Sequence, residues 1–134
     1  RYGGGAGIRG EWASPVIINN LIISNSAVSL TVFGRIYGGG GGISITGGSH
    51  ALIANNTLAR NGSDYHFENL GSISLTTANV EIRNNIIAFG TGGISAAPGT
   101  SPLIERNCFF GNTDNGLTGD QPIFDDPRFL DDQA

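Results

Sequence analysis

The side chains best suited to ligand chemistry near the start of this 134-residue chain are Arg9, Glu11 and Trp12. Trp12 is the only tryptophan, and an indole ring can stack on a sugar ring while neighbouring charged groups bond the sugar hydroxyls. His50 occupies the equivalent turn of a later repeat, so these four residues are predicted to share one ridge of the surface. The alternative is that Trp12 only packs against the next repeat.

A second group of ionisable and aromatic side chains occurs in residues 62–69. Asp64, His66 and Glu68 are suited to act as acid, base or metal ligand, and Tyr65 to serve as a platform for a sugar. Alternation along an extended segment would place the ionisable residues on one side and the aromatic residues on the other, which is also the pattern of an ordinary surface loop. Asp64, Tyr65 and His66 are the ligand-binding candidates of this segment.

An internal repeat centred on an Asn residue must position these candidates. Each copy has an Ile three residues before the Asn and a large apolar residue two residues after it, and successive copies are 36, 29 and 22 residues apart. A further short segment precedes each Asn, as in Gly42-Ile43-Ser44-Ile45. Alternation of apolar with small or polar residues indicates short strands, and repeats of this length indicate stacked solenoid coils. The repeated residues are Asn20, Asn56, Asn85 and Asn107.

Two files of side chains are predicted to run along the stack. Asn suits a bend, because it tolerates the left-handed backbone region and its amide bonds locally. When Asn recurs on each coil, the amides can also hydrogen-bond to one another and form an asparagine ladder. The second file is inward and apolar, and it consists of Ile17, Ile53, Ile82 and Ile104.

The pattern Gly-Ile-x-Ile followed by Ile-x-Asn-Asn-x-Ile resembles the right-handed parallel β-helix repeat of pectate-lyase-like proteins. The resemblance covers about residues 3–112. It implies an all-β fold, a single-stranded right-handed parallel β-helix of about four coils. Residues 1–116 are predicted to form the coils, with insertions at 26–41 and 62–69, and residues 117–134 to form a C-terminal capping tail.

Enzymes of the resembling families work on the outer face of the first strand of each coil. They use Arg or Lys bases with Ca²⁺-binding acids, or a group of Asp residues. The outward positions of that strand here are Arg9, Ser44, Ser74 and Ser95, and the chain contains no Lys. Three Ser residues offer hydroxyl groups but neither acid nor base near neutral pH, so no catalytic residue is assigned.

The chain is therefore interpreted as a non-catalytic module, extracellular or on the cell surface, that binds polysaccharide or forms structural contacts. The alternative is a truncated lyase-like or epimerase-like enzyme whose site uses Arg9, Glu11 and His50. On the second strand, Glu81 and Glu105 have Arg neighbours and predict a charged outer face with pairing between strands.

Composition limits the classes of partner. Charged residues make up 13% of the chain, the formal charge is −4, and all 7 basic residues are Arg. A basic patch for nucleic acid is not expected, and no apolar run is long enough to span a bilayer. The single cysteine, Cys108, excludes an intrachain disulfide and is predicted to be a small, half-buried residue.

The tail resembles the Asp-Pro-x-Phe segment that closes many β-helices, and its Phe124, Phe129 and Leu130 are predicted to cover the top of the stack. Its carboxylates are candidate Ca²⁺ ligands, but they lack the spacing of a calcium loop. A solvated acidic tail is expected instead, so neither a metal site nor a cofactor is predicted. The carboxylates are Asp120, Asp125, Asp126, Asp131 and Asp132.

The sequence of the Gly-rich residues 1–10 shows no pattern of a capping helix. The first coil is therefore predicted to leave backbone N–H and C=O groups unpaired at the bottom of the stack. Further coils before Arg1, a closed dimer or a head-to-tail fibre would each cover this edge, and they are preferred in that order. In either assembly the apolar segment 28–37 is the predicted lateral contact for self-association.

Overall fold

The computed structural model describes residues 7–27, 30–32, 35–37, 39–48, 50–63, 71–76 and 78–129. Asp64, Tyr65, His66, Glu68 and Leu130 lie outside the described residues, so the predictions for these five side chains stay predictions.

All regular structure in the described residues is β-strand. The strands are short because each one ends at a bend of the coil. In chain order they are β1 (Ile8–Glu11), β2 (Val16–Ile18), β3 (Leu21–Ile23), β4 (Ser26–Ala27), β5 (Leu30–Val32), β6 (Arg35–Tyr37), β7 (Ile43–Thr46), β8 (His50–Ala54), β9 (Thr57–Ala59), β10 (Gly62–Ser63), β11 (Ile73–Thr76), β12 (Asn79–Arg83), β13 (Ile86–Ala88), β14 (Ile94–Ala96), β15 (Leu103–Glu105) and β16 (Cys108–Phe110).

Three parallel sheets of four strands form the body of the molecule. Their strand orders are β1-β7-β11-β14, β2-β8-β12-β15 and β3-β9-β13-β16. Each coil contributes one strand to each sheet in turn, and every pair in these sheets is parallel. The predicted parallel β-helix of four coils is therefore confirmed.

The insertion after the first coil contains two smaller pairings. β4 pairs in parallel with β10, which follows the second coil. β5 and β6 form an antiparallel hairpin in which Leu30 is opposite Tyr37. The alternating sequence of the insertion is typical of either an extra strand or a hairpin, and the structure has a hairpin. Its role as a lateral contact stays a prediction.

The apolar file inside the stack is confirmed. Ile17 pairs with Ile53, Ile53 with Ile82, and Ile82 with Ile104. All four side chains are buried, because alternate residues of a strand point to the same side and here that side is the interior. Phe109 is the largest fully buried side chain and fills the interior of the fourth coil.

The asparagine ladder is also confirmed. Nδ2 of Asn20 donates to Oδ1 of Asn56 at 3.0 Å, Asn56 to Asn85 at 3.0 Å, and Asn85 to Asn107 at 2.9 Å. Each accepting Oδ1 also receives the backbone N–H of the Asn below it. The acceptor therefore always belongs to the later coil, so the ladder has a direction.

The bend itself is made by the residue before the ladder Asn, not by the ladder residue. Asn19, Asn55, Asn84 and Arg106 have φ values of 58°, 57°, 54° and 51°. The predicted left-handed Asn bend is therefore confirmed in three coils, but the Asn that makes the bend is not the Asn that forms the ladder. The physical reason is that the amide of the ladder Asn must point inward to bond the next coil, so the residue before it turns the chain.

A second bend ends each coil and carries a shorter ladder. Nδ2 of Asn25 donates to Oδ1 of Asn61 at 3.0 Å. The third coil has Gly90 at this position, where a Cβ atom would lie 2.5 Å from the Asn61 carbonyl oxygen. In the fourth coil an Asn, Asn112, again occupies this position, and its Oδ1 accepts the Gly90 N–H at 2.9 Å.

The chain after the fourth coil follows the path of a further coil. Gly116, Asp120 and Ile123 form isolated parallel bridges to Ile94, Glu105 and Cys108. This offset places Pro122 above the ladder residue of the fourth coil. The aromatic rings of the tail then contact the stack at two places.

Phe124 lies over the top of the interior, with its ring centroid 6.3 Å from that of Phe109. The ring centroid of Phe129 instead lies 6.1 Å from that of Phe89, on the outside of the third sheet. The chain turns away from the top at Asp126, whose Oδ1 accepts the Arg128 N–H at 2.8 Å. The expectation that Phe129 covers the top is thus wrong.

Candidate functional site

Trp12 is the most prominent exposed aromatic side chain among the described residues. It has a φ of 55°, and its backbone N–H donates to the Thr46 carbonyl at 3.2 Å. The indole lies on the backbone of Gly47, where a Cβ atom would approach the ring to 2.8 Å. The residue nevertheless remains 79% exposed. Packing against the next coil therefore fixes the ring and leaves most of it open to a ligand.

Arg9 and Glu11 accompany Trp12 at the end of the first sheet. A guanidinium nitrogen of Arg9 lies 3.1 Å from a carboxylate oxygen of Glu11. The two residues are neighbours on one face of β1, because residues two apart in a strand point the same way. Both remain accessible, so the pair can offer donors and acceptors to the hydroxyl groups of a ligand bound near Trp12.

His50 belongs to an adjacent feature, a groove on the second sheet. Its backbone N–H donates to Ser14 Oγ at 3.4 Å, and it pairs in register with Asn79. Among the described residues no hydrogen bond or ion pair joins His50 to Arg9 or Glu11. The structure therefore brings Arg9 and Glu11 together and places His50 in the neighbouring groove.

The groove crosses all four coils and encloses about 400 Å³. Its floor is apolar and its edges carry imidazole, amide, carboxylate and hydroxyl groups, a combination that suits a sugar chain. Trp12 lies on the turn that leads into Pro15 at one end of the groove. The lining residues are Pro15, Val16, His50, Ala51, Leu52, Asn79, Val80, Glu81, Ser101 and Leu103.

The outer side of the first sheet is not an open row of hydroxyl groups. Ser44 is 7% exposed and Ser74 is 5% exposed. Ser95 is half-buried, and its Oγ accepts the Gly71 N–H at 3.5 Å and donates to the Ile73 carbonyl at 3.4 Å. The alternation of β7 and β11 is as predicted, but the surface that these residues were expected to form is buried in the middle coils.

The carboxylates of the second sheet are paired along the strand. Glu81 lies 2.8 Å from Arg83, and Glu105 lies 3.3 Å from Arg106. The prediction of pairing between strands is wrong, because the nearest cation in each case is in the same segment. Both pairs are partly exposed, so each contributes little to stability.

Cys108 is half-buried, as predicted, and its thiol donates to the Asp125 carbonyl at 3.4 Å. Burial raises the pKa of this thiol, and the nearby negative charges of Asp125 and Asp126 raise the pKa further. The thiol is therefore less ionised than a free cysteine at the same pH, and a nucleophilic role is disfavoured.

The described part of the chain contains no group of three or more His, Cys, Asp or Glu side chains arranged to hold a metal ion. Within the same residues, no helix has the length and apolar character that a membrane span requires. Asp131 and Asp132, two of the candidate Ca²⁺ ligands, lie outside the described residues.

Several residues of the site were not found from the sequence. Gly47 supports the Trp12 ring, and Asn79, Glu81 and Ser101 line the groove. The repeat offers a signal for them, since aligning the coils on the ladder places Asn79 and Ser101 level with His50. No such signal identifies Gly47, because Gly47 makes room for the Trp12 ring by having no side chain.

A comparison with known families agrees with the fold. The family model for right-handed β-helix regions matches residues 4–133, so the chain belongs to the right-handed β-helix family. Searches of curated proteins and of solved structures found no match.

Proposed function

We propose that this chain is a non-catalytic β-helix module, located outside the cell or on its surface, that binds polysaccharide along the groove and Trp12. The observation that carries the proposal is the Trp12 ring, which is fixed on Gly47 yet 79% exposed. A fixed and exposed indole presents an apolar face with a polar N–H at its edge, and pyranose rings present the matching apolar face.

The shape of the groove favours a polymer over a small molecule. It runs across four parallel strands about 4.8 Å apart, so it is about 15 Å long and open along its length. Its polar groups are spread along this length, with His50 and Asn79 in the middle coils and Ser101 in the fourth. Such a row of donors and acceptors suits successive sugar units.

Binding is favoured over catalysis by the state of the ionisable groups. Glu11 and Glu81 are each paired with an Arg at 3.1 Å and 2.8 Å. His50 is opposite Asn79 and Glu81 is opposite Leu52, so the two ionisable groups of the groove are not adjacent across the strands. This arrangement can orient the hydroxyl groups of a bound sugar, but it does not place an acid and a base at the same glycosidic bond.

The test uses the fluorescence of Trp12, which is the only tryptophan and therefore reports on this site alone. Titration with a uronic-acid polymer and with a neutral glucan is expected to change its emission. In a glycan array, Trp12→Ala should weaken binding about tenfold or more, the loss of roughly 1.4 kcal/mol. Gly47→Ala should also weaken binding, because the added methyl group displaces the ring.

Leu21→Ala is the matched control, since it removes an exposed apolar side chain of the same coil on another sheet. It should leave glycan binding unchanged. Equal binding by the wild type and Trp12→Ala would overturn the proposal.

The enzyme alternative has its own readout. A lyase forms an unsaturated sugar that absorbs in the ultraviolet, and we expect no such product from any uronic-acid polymer. Product formation that disappears in Arg9→Ala would establish a lyase-like activity in place of simple binding.

A further inference from the structure

The hydrogen bonds of the asparagine ladder leave acceptors at the bottom of the stack. In every step the lower Asn donates its backbone N–H and Nδ2, and the upper Asn accepts with Oδ1. Asn20 and Asn25 are the lowest members of the two ladders. Among the described residues no donor reaches Oδ1 of either one, so both oxygens are available to a donor from below.

The top of the ladder is closed in a different way. The tail repeats the bend of a coil, with Gln121 in the left-handed conformation at a φ of 49°. The next residue, Pro122, stands where a fifth ladder Asn would be. Proline has no side-chain amide and no N–H, so it can neither continue the ladder nor donate to another coil. The tail therefore acts as a stop for the repeat.

The lower end also has an unusually apolar flank. Val16 and Leu21 are 65% and 69% exposed, and Ile18 and Ile23 are exposed as well. The residues paired with these four in the second coil are all buried or half-buried, because they have a strand on each side. A strand below the first coil would cover the first-coil residues in the same way.

Two arrangements of identical copies do not satisfy this surface. Two copies that meet bottom to bottom would each present the Oδ1 acceptors of the first coil, while the ladder N–H and Nδ2 of Asn20 in both copies already donate upward to Asn56. A copy stacked top to bottom would offer Pro122, which has no donor. A coil of the same repeat stacked below the first coil would supply both the N–H and the Nδ2 donors, and it would continue an interface that the molecule already forms three times.

We infer that the lower end of the stack is a docking surface for one further β-helix coil of the same repeat, carrying Asn at the ladder position and joined to the N-terminal side of the first coil. The Oδ1 atoms of Asn20 and Asn25 are its acceptors. The flank formed by Val16, Ile18, Leu21 and Ile23 is the apolar surface that the coil covers.

The test inserts a copy of residues 72–92, the shortest coil, between Ala6 and Gly7 of the full chain. The matched control carries Pro in place of the copied Asn85, which imitates Pro122. The insert with Asn should slow amide hydrogen exchange of the lower-edge amides of β2 and β3 about tenfold or more, because these amides become paired. The Pro insert should give little protection. No protection by the Asn insert, or equal protection by both inserts, would overturn the inference.

A measurement on the unmodified chain keeps the inference testable if the inserts do not fold. The lower-edge amides of β2 and β3 should exchange at least about tenfold faster than the corresponding amides of β8 and β9. Slow exchange at the lower edge would overturn the inference. A dimer in light scattering whose lower-edge amides are protected would show instead that a second copy is the partner.

Discussion

Single residues in the left-handed conformation set the path of the chain. Three coils use Asn for the bend before the ladder, whereas the fourth uses Arg106. This conformation costs an ordinary L-residue about 1–2 kcal/mol, and it costs Asn less because the Asn side chain bonds locally. The same position in the tail is Gln121, so the last two bends of this kind both lack Asn.

Arg106→Asn is therefore expected to stabilise the protein by about 0.5–1 kcal/mol. The exposed pair with Glu105 that it removes contributes little. The midpoint of urea unfolding is the measurement, and Arg83→Asn is the control, because it also breaks an exposed ion pair but has no positive φ. Loss of stability in Arg106→Asn equal to that in Arg83→Asn would contradict the argument.

Cys108 gives the molecule a specific response to alkali. Burial and the charges of Asp125 and Asp126 raise the thiol pKa in the folded state. The unfolded thiol, with a pKa of about 8.5, loses its proton first as pH rises. Its contribution is therefore fully present below about pH 8.5 and is lost as pH rises through the higher folded pKa.

Stability should accordingly fall between about pH 8.5, the pKa of the unfolded thiol, and the higher pKa of the folded thiol. Cys108→Ser should remove this part of the fall. Urea unfolding at a series of pH values measures it. Alkylation by iodoacetamide provides a second readout, since the folded chain should need a higher pH than the unfolded chain for the same rate. An identical pH profile in Cys108→Ser would exclude the thiol as the cause.

At the scale of the element, the ladder joins the coils through buried polar groups. Asn85 is almost completely buried and bonds to the Asn residues above and below it and to the Ile53 carbonyl. Removal of the Asn85 side chain leaves several of these buried groups without a hydrogen-bond partner and without access to water. An unsatisfied buried polar group costs about 1–3 kcal/mol, so the ladder is expected to be sensitive in its middle and tolerant at its open end.

Asn85→Ala should cost about 3 kcal/mol, whereas Asn20→Ala should cost about 1 kcal/mol or less, because Asn20 is exposed and, among the described residues, receives no bond from below. Thermal or urea unfolding of the two variants measures the difference. Equal losses would mean that the ladder contributes through packing and not through its hydrogen bonds.

The strands and files were predictable because they depend on fixed spacings within a coil. The Ile82 and Asn85 files follow directly from an offset of three residues and from the period of two in a strand. Three features were not predictable from the sequence: the support of Trp12 by Gly47, the burial of Ser44 and the ion pairs of the second sheet. The first two depend on how neighbouring coils of unequal length meet, and a side chain that is absent at Gly47 leaves no pattern to detect. The ion pairs depend on side-chain conformations within one segment, which the spacing of the repeat does not determine.

For the whole molecule, the stack is a solenoid in which each coil contacts only its neighbours, so stability is a sum of coil and interface contributions. The two ends differ. The tail at one end contains Pro122, and in the first coil at the other end the Oδ1 atoms of Asn20 and Asn25 accept no hydrogen bond from any described residue. The groove runs parallel to the stack and depends on all four coils being in register. Loss of register at one coil would therefore interrupt both the interior and the surface that we propose binds polysaccharide.

The common direction of the ladder amides also has an electrostatic consequence. Four side-chain dipoles from Asn20 to Asn107 point the same way in an interior of low dielectric constant, and neighbouring hydrogen bonds polarise one another. Like the peptide groups of a helix, they add to a column with a partial negative charge at the first coil and a partial positive charge toward the tail. The stack therefore has an electrical polarity along its axis, although its sheets contribute little net dipole of their own.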